Sequence, residues 1–462
     1  MISDFLFYPL FQEEIERYFK RNPENKEAEY LLRLEREVEF DRPLLDGIAT
    51  CCVPEKFFFS AKDCLFVLGG LGSAQVVTAA QSNDVLEGFR SLWEADPTIP
   101  VFGGFSFDTE EESAPEWEPF GRFRFTLPFI ELKTSDGGTR VAVNYLRKNG
   151  QSPREALGEI SSALRALDAV RRPVPPAADL PCRLEKQLVP EKPQWDRMIQ
   201  KALATIQAGD LQKIVLARKM VITRSEGWDP AEIIASLAQI EEDSFTFYYQ
   251  IADGIAFLGR SPERLFRMQD GRIVAEAIAG TRPRGETPSE DQRLERELLH
   301  SPKELKEHRF VAGFVETGMK RICDDVRIAA SEEILKLKNV QHIVTRFTGR
   351  STGERSPLSI ARIFHPTPAV GGYPPEGIPE YLRRNEPFQR GWYGAPIGWM
   401  NRMNADFAVG IRSALVRGNK LHIFAGAGIV GQSTARDEWK ETEKKMDNFA
   451  TIVGEFPCLP CF

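Results

Sequence analysis

A lysine opens a run of apolar residues near the middle of the chain. Lys213 begins the segment KIVLARK, which is too apolar for a solvated sheet edge. Partial burial disfavours the charged form of a lysine, and a neutral amine can take a proton from water. Lys213 is therefore a candidate general base. The same position also fits a lysine at a strand end whose ammonium group reaches solvent along its own alkyl chain.

A glutamate in the segment GRSPERL is the candidate acid. Glu263 follows Gly259 and Pro262, which interrupt regular structure, and it directly precedes another apolar run. A carboxyl group on such a turn can reach into a cleft and give up a proton to a leaving group. A purely structural role for Glu263 is equally compatible with the local sequence.

A predicted helix carries a carboxylate on its apolar face. Ser301, Pro302 and Glu304 predict the helix start, because serine caps the end, proline suits the first turn and glutamate completes a capping box. Glu307 lies one turn before Val311 on the same face. A buried carboxylate must be paired, so Glu307 either forms an ion pair with an arginine or binds a metal ion.

A second acidic helix is predicted to begin near Asp437. Glu438, Glu441 and Lys445 lie on one stripe of this helix, where Glu441 and Lys445 could form an ordinary ion pair one turn apart. Carboxylates from two helices are also the hard oxygen ligands that Mg²⁺ takes when it keeps several water ligands and binds an anionic substrate. The two helices therefore predict a possible magnesium site.

Glycines follow the apolar run Lys420 to Ala425. Gly426, Gly428 and Gly431 match the spacing of a dinucleotide-binding loop, but a charged helix follows where a second parallel strand would be needed. We reject a dinucleotide site here. Backbone N–H groups exposed by small residues could instead bind a carboxylate.

The elements that must position these residues fall into two regions. Up to residue 170 the chain shows short β-rich runs and one helix that starts at Ser152. Prolines at 173, 175 and 176 forbid regular structure and mark a boundary, which divides the chain into a β-rich region at 1–185 and a catalytic region at 190–457. Hairpin-like neighbours after the boundary predict an α+β fold. The predicted elements there are helices Trp195 to Ala208 and Pro230 to Ile240, and strands Lys213 to Ile222, Ser244 to Gln250, Ile255 to Gly259, Arg264 to Met268 and Ile273 to Ala279.

Composition limits the function classes. The chain has 462 residues, of which 42% are hydrophobic and 27% charged, and this is typical of a globular protein. A net charge of −7 without basic runs argues against a nucleic-acid partner. The sequence shows neither a signal peptide nor an apolar run long enough to span a membrane, so we expect a cytoplasmic location. Seven cysteines, an odd number, indicate reduced thiols. Cys458 and Cys461 form a CxxC pair, but the sequence has no second pair of cysteines or histidines to complete a zinc site.

Ten segments in order give the chain a family resemblance between about Gln194 and Gly454. The segments are KIVLAR, SPERL, AIAGTRPRG, SPKELKEH, QHIVT, HPTPAVGG, WYGAPIGW, IRSALV, FAGAGIV and EWKETEKK. With them the chain resembles the chorismate-utilising enzymes, which include isochorismate synthase, salicylate synthase and component I of anthranilate synthase and aminodeoxychorismate synthase. The resemblance implies an α+β body of two stacked antiparallel sheets with outer helices. The N-terminal region, through PVFGGFSFD, is expected to pack into the same body.

The resemblance also implies roles for single residues. Lys213 would activate water for attack at C2 of chorismate, and Glu263 would protonate the departing C4 hydroxyl group. Glu307 and Glu441 would bind Mg²⁺, with Glu304 and Glu438 as possible partners through water. The residues expected to contact the substrate are Thr281, His342, Ala369, Tyr393, Arg412, Gly426, Gly428 and Lys445. His342 could equally be a core histidine with satisfied hydrogen bonds.

Two positions favour water over ammonia as the nucleophile. The ammonia-using branches of the family have glutamine where this chain has Lys213, and aminodeoxychorismate synthases have lysine where it has Ala279. The resemblance therefore implies isochorismate synthase activity on chorismate, without a glutamine amidotransferase subunit. A salicylate synthase, which also expels pyruvate, and a non-catalytic chorismate-binding relative are the alternatives.

Overall fold

A computed structural model describes most of the chain. The described residues are 6–21, 30–40, 42–62, 66–135, 138–169, 184–240, 243–336, 340–353 and 355–452. The proline-rich boundary at 171–180 and the pair Cys458 and Cys461 lie outside them. The division of the chain at 185–190 therefore stays a prediction. Among the described residues, none of the helices has both the length and the apolar composition needed to cross a bilayer.

Antiparallel pairing dominates the molecule. Within the described ranges the chain forms nineteen strands, and the pairings between them are antiparallel and join them into one hydrogen-bonded network. The strands are β1 (Tyr30–Val38), β2 (Lys56–Ser60), β3 (Val67–Ala79), β4 (Val101–Phe105), β5 (Phe123–Ser135), β6 (Gly138–Arg147), β7 (Glu185–Val189), β8 (Lys213–Thr223), β9 (Phe245–Ala252), β10 (Ile255–Ser261), β11 (Arg264–Gln269), β12 (Arg272–Pro283), β13 (Cys323–Lys336), β14 (Val340–Ser351), β15 (Gly372–Tyr373), β16 (Pro396–Met400), β17 (Ala405–Val409), β18 (Ser413–Arg417) and β19 (Lys420–Ile429).

Helices pack against this network. In the described part of the chain they are α1 (Tyr8–Arg21), α2 (Leu44–Thr50), α3 (Ser82–Gly88), α4 (Arg90–Ala95), α5 (Pro153–Ala169), α6 (Lys192–Ala208), α7 (Pro230–Ala238), α8 (Pro288–Leu299), α9 (Pro302–Ile322), α10 (Pro357–Phe364), α11 (Ile378–Asn385) and α12 (Ala435–Ile452). Antiparallel strands with helices outside confirm the α+β class predicted from the sequence.

Strands from both halves of the sequence pair with each other. Strand β4 pairs with β16, and β2 pairs with β9. Aromatic rings from both halves also meet in the core, where the ring centroids of Trp117 and Phe257 lie 5.5 Å apart. The N-terminal β-rich region therefore contributes to the same sheet network as the region that carries the candidate site.

Strand β8 lies at the centre of the catalytic region. It pairs with β7, β15 and β19, and each of its residues except Thr223 is buried. A strand that is covered on both faces reads as a continuous apolar run, and this explains the composition of KIVLARK. Lys213, the first residue of β8, is only 2% exposed.

Helix α9 begins where its capping residues predict. The Ser301 side chain accepts the backbone N–H of Glu304, and Pro302 occupies the first turn. Val311, Val315 and Gly318 are buried on the inward face of the helix. Glu307 lies at the border of that face, with 24% of its side chain exposed.

The glycine segment differs from the expectation. Gly426 and Gly428 do not form a loop after a strand, because β19 continues through both of them to Ile429. Gly426 pairs with Ala217 of β8 and Gly428 with Val215. Much of the backbone there is engaged in the ladder, so the glycines act mainly by leaving room beside the strand.

Candidate active site

Lys213 contacts a carboxylate from helix α9. Its Nζ donates a hydrogen bond of 2.6 Å to Oε1 of Glu307. Burial raises the pKa of Glu307, but the charge and hydrogen bond of Lys213, together with Lys445 and Lys303, outweigh it and lower that pKa below its ordinary value. The candidate base and a candidate metal ligand thus form one ion pair.

Glu263 lies in the turn between β10 and β11 and is buried, with 6% of the residue exposed. Burial raises the pKa of its carboxyl group to about 7, against the opposing influence of the Lys213 charge and a 3.4 Å hydrogen bond from Thr367. Its backbone is fixed as well, because the Val409 N–H donates to the Glu263 carbonyl at 3.0 Å. A carboxyl group with this pKa carries its proton through a large part of the neutral range, as a general acid must.

The acidic residues of α9 and α12 share their charged neighbours. The positive charges of Lys303 and Lys445 act to lower the pKa of both Glu307 and Glu438. Glu438 is only 7% exposed, and burial together with the nearby Glu441 charge raises its pKa. Carboxylates that repel each other in a partly buried region favour a cation between them.

The donor chemistry of this region fits Mg²⁺. Among the described residues, no three His, Cys, Asp or Glu side chains form a cluster that could hold a metal ion by themselves. Mg²⁺ usually binds through one or two carboxylates and completes its octahedron with water and substrate oxygens. The pair predicted from the sequence is Glu307 and Glu441, and Oε1 of Glu441 accepts a 2.8 Å hydrogen bond from Lys445.

Gly426 and Gly428 give the site its free space. A Cβ atom at Gly428 would lie 3.0 Å from Cε of Lys213 and 3.5 Å from Oε1 of Glu307. A Cβ atom at Gly426 would lie 3.0 Å from the Tyr393 hydroxyl group. The carbonyl oxygen of Gly426 also accepts a 2.8 Å hydrogen bond from Lys445 Nζ. The two glycines therefore bring Lys213, Tyr393 and Lys445 to one stretch of β19.

Tyr393 is a buried phenol beside this strand. Its ring stacks on Phe424, with centroids 5.2 Å apart. Burial raises the pKa of its hydroxyl group well above the ordinary value, against the charge of Arg390. The Tyr393 hydroxyl group therefore keeps its proton at neutral pH.

Thr281 and His342 are paired across β12 and β14. The Thr281 hydroxyl lies 2.9 Å from Nδ1 of His342. Burial lowers the pKa of His342 to about 4, and the positive charges of Arg412 and Lys445 act in the same direction. His342 is therefore neutral at neutral pH and lies near two of the predicted substrate-binding residues.

Arg412 has an unusual backbone. Its φ angle is +48°, in the left-handed region that residues other than glycine rarely adopt. Such strain is often found at functional sites. Its carbonyl oxygen accepts the N–H of Arg260 at 3.1 Å, which fixes the turn before β18.

Glu304 and Ala369, two further predicted residues, make contacts within the protein. Glu304 accepts hydrogen bonds from Arg282, at 2.8 Å, and from the N–H of Thr281, at 3.3 Å. Its carboxylate therefore holds the end of β12 against α9, and these contacts compete with the predicted role through water. Ala369 lies in the turn after Thr367, partly buried against the core.

Side chains that were not predicted from the sequence also act on Glu263. Thr367 lies in the segment HPTPAVGG, where nothing indicates that its hydroxyl group contacts a residue 104 positions away. Lys62 and Glu276 form a buried ion pair that influences the pKa of Glu263. Glu276 could have been noticed as an acidic residue within an apolar strand.

Comparisons with known proteins identify the family of the chain. The model of a family described as chorismate binding enzyme matches residues 20–454. The chloroplastic isochorismate synthase of Catharanthus roseus is 31% identical over 404 residues, which cover 86% of this chain and 70% of that protein. The isochorismate synthase MenF of Bacillus subtilis (strain 168) is 31% identical over 426 residues, which cover 86% of this chain and 88% of that protein.

Solved structures show the same fold. MenF, the menaquinone-specific isochorismate synthase from Escherichia coli, superposes with a TM-score of 0.83 at 22% identity, covering 96% of this chain and 99% of that chain. Anthranilate synthase component I from Streptococcus pneumoniae TIGR4 superposes with a TM-score of 0.57 at 19% identity, and 92% of each chain is covered. Because the family model spans most of the sequence and the fold agrees, the chain belongs to the family of chorismate-binding enzymes.

Proposed function

We propose that the protein is a magnesium-dependent isochorismate synthase, which moves the hydroxyl group of chorismate from C4 to C2 by adding and losing water. The observation that carries the proposal is the electrostatic coupling of two buried groups, the amine of Lys213 and the carboxyl group of Glu263, whose pKa is about 7. The relatives named above as isochorismate synthases support the same reaction.

The two groups supply both proton transfers of the reaction. Lys213, in its neutral form, takes a proton from water as the water oxygen bonds to C2 and the ring double bonds shift. Glu263 gives its proton to the C4 hydroxyl group, which leaves as water. The atoms balance as an isomerisation, since one water enters and one departs. Each transfer needs a group whose protonation is matched to the working pH.

Chorismate is a dianion, so its burial needs compensating charge. Arg412, Lys445 and the hydroxyl group of Tyr393 are the proposed donors to its carboxylates, and charge-assisted hydrogen bonds of this kind are the strong ones. Glu307 and Glu441 would hold Mg²⁺. When bound, the ion supplies positive charge that balances a substrate carboxylate.

Product analysis tests the proposal. Purified protein incubated with chorismate and MgCl₂ should form isochorismate, resolved from chorismate by liquid chromatography, and turnover should stop with EDTA and return with added Mg²⁺. Salicylate fluorescence with an equal amount of pyruvate would instead identify a salicylate synthase. Chorismate binding without any product, with or without Mg²⁺, would identify a non-catalytic relative.

We further propose a cytoplasmic enzyme that works without a glutamine amidotransferase subunit. Cys52 and Cys323 carry free thiols, as is usual in a reducing compartment. Lys213, the proposed activator of water, stands where the ammonia-using branches have glutamine. Addition of ammonium salts should therefore yield no aminated product.

A further inference from the structure

Strand β8 has a gap in its pairing close to Lys213. On one of its edges β15 pairs with Lys213 and Ile214, and β7 pairs with Lys219–Thr223. Among the described strands, none pairs with residues 215–218 on that edge. Buried backbone N–H and C=O groups without a partner cost free energy, so this stretch of β8 needs other donors and acceptors.

A buried ion pair fills the gap. The carboxylate of Glu386 accepts the N–H of Ala217 at 2.7 Å, and Nη2 of Arg390 donates to the Val215 carbonyl at 2.7 Å. The two side chains also bond each other, with Nε of Arg390 donating to Oε2 of Glu386 at 2.8 Å, and only 3% of each is exposed. Because loss of hydration offsets the attraction within a buried ion pair, a gain in stability does not by itself explain this one.

Arg390 also holds the segment that lies beside β8. Its Nη1 donates to the Val370 carbonyl at 2.6 Å, and the carbonyl of the following residue accepts the Val215 N–H at 2.8 Å. Three residues after Val370, Tyr373 pairs with Lys213 in the ladder between β15 and β8. One guanidinium group therefore bonds both chain segments that meet at the backbone of Lys213.

We propose that the Arg390–Glu386 ion pair is a positioning device for Lys213, which fixes the start of β8 against residues 370–373 and so holds the amine at the substrate. This inference rests on the proposed function, in which Lys213 is the base. Lys213 is the first residue of its strand, where the ladder between β8 and β15 is only two residues long. Displacement of a catalytic group by about 1 Å can lower a rate by about 10²-fold.

The chemistry of arginine suits this task. A guanidinium group is a planar fork that donates in several fixed directions at once, whereas an ammonium group is a compact point charge on a flexible chain. Lysine at position 390 could still pair with Glu386. It could not also bond the carbonyls of Val215 and Val370 in the same geometry. Arg390→Lys therefore keeps the charge of the ion pair and removes its geometry.

Steady-state kinetics test the inference. In Arg390→Lys we expect kcat to fall by about 10–100-fold, the cost of a misplaced catalytic group. The KM for chorismate should change little, because the residues proposed to bind the substrate carboxylates are untouched. Thermal unfolding shows whether the variant is folded. Wild-type kcat in Arg390→Lys, or a loss that lies in KM alone, would overturn the inference.

A double-mutant cycle separates positioning from a general defect of the fold. If Arg390 acts through Lys213, its replacement matters little once the amine is gone, because effects of coupled residues are not additive. Arg390→Lys should therefore lower the residual kcat of Lys213→Ala far less than it lowers the kcat of the wild type. A loss by the same factor in both backgrounds would show that the ion pair has no specific link to Lys213.

A second variant keeps the test decisive if Arg390→Lys folds poorly. E386Q/R390Q buries no charge, and its amide groups can still accept the Ala217 N–H and donate to a carbonyl. It should show the same loss of kcat and the same dependence on Lys213. Retention of wild-type kcat in this variant would refute the role of the ion pair.

A matched control and the wild type separate this inference from the proposed function. Arg33→Lys alters the Arg33–Glu131 pair, which spans 2.7 Å in the N-terminal β-rich region, and should leave kcat unchanged. If the wild type forms no isochorismate, or if Lys213→Ala turns over normally, the proposed function itself fails. If both behave as expected and Arg390→Lys is as active as Arg33→Lys, only the role of the ion pair is refuted.

Discussion

Lys213 and Glu307 form a 2.6 Å ion pair between strand β8 and helix α9, across 94 positions of sequence. The candidate base and a candidate metal ligand are therefore direct neighbours, and each determines the electrostatic environment of the other. The effects of substitutions at two contacting residues are rarely additive. We expect the double variant of this pair to lose less activity than the product of the two single losses.

Replacement of Lys213 should remove proton abstraction from water. We expect Lys213→Ala to lower kcat by about 10²–10⁴-fold, the usual contribution of general acid–base catalysis. Binding of chorismate, measured by calorimetry, should be largely kept, since the base acts in the transition state. Lys201→Ala, on the exposed face of α6, is the control and should turn over normally. Wild-type kcat in Lys213→Ala would remove this lysine from the mechanism.

Replacement of Glu307 should act first on the metal. In Glu307→Ala we expect the Mg²⁺ concentration for half-maximal activity to rise at least about tenfold, since loss of a residue that merely holds a metal ligand already costs about that much. The matched control is Glu316→Ala on the same helix, where Glu316 pairs with the exposed Lys320 at 2.6 Å. An unchanged magnesium titration in Glu307→Ala would show that Glu307 is no ligand.

A methyl group at position 428 should displace Lys213, the proposed base. The Cβ of Gly428→Ala would crowd Cε of Lys213 at 3.0 Å, so we expect a roughly 10–100-fold loss of kcat with little change in stability. Gly431→Ala provides the control, because its Cβ would meet no atom within 4 Å. Equal activity of the two variants would mean that Lys213 tolerates displacement.

Glu263 should make the stability of the protein depend on pH. Its pKa is about 7 in the folded state against an ordinary 4.5, so between these values the folded protein holds a proton that the unfolded chain releases. The free energy of unfolding should therefore decrease as pH rises from 4.5 to about 7 and change no further above that range on account of this group. Each unit of pKa difference corresponds to about 1.4 kcal/mol.

Chemical denaturation at several pH values measures this effect. Glu263→Gln, which cannot ionise, should lack the decrease, and the difference between the two proteins isolates the glutamate. If the free energy of unfolding changes with pH in the same way in the wild type and the variant, Glu263 ionises at its ordinary pKa in the folded protein.

The secondary structure around the site could largely be predicted from local sequence. The predicted strand from Lys213 to Ile222 appears as Lys213–Thr223, because an unbroken apolar run requires burial on both faces. The predicted start of α9 at Pro302 is confirmed, because the Ser301 cap acts locally. The predicted end of the last strand at Ala425 was wrong: glycine weakens a strand in general, yet β19 continues to Ile429 and pairs with β8. The missing side chains of the glycines make room for Lys213.

Contacts between distant segments could not be predicted from the sequence. Nothing near Lys62 indicates Glu276, and nothing near Thr367 indicates Glu263, because only the completed sheet network brings each pair together. Family resemblance supplied the roles of Glu307 and Glu441, whereas spacing alone allowed ordinary ion pairs. The roles of the predicted site residues remain predictions that the variants above can test.

The pairing of β4 with β16 has a consequence for synthesis of the protein. As the ribosome delivers the chain, Val101–Phe105 emerges well before Pro396–Met400, its neighbour on one side. That edge of β4 stays unpaired until nearly three hundred further residues have been synthesised. Unpaired strand edges promote association with other chains. We therefore expect nascent chains that stop before β16 to aggregate or to recruit chaperones.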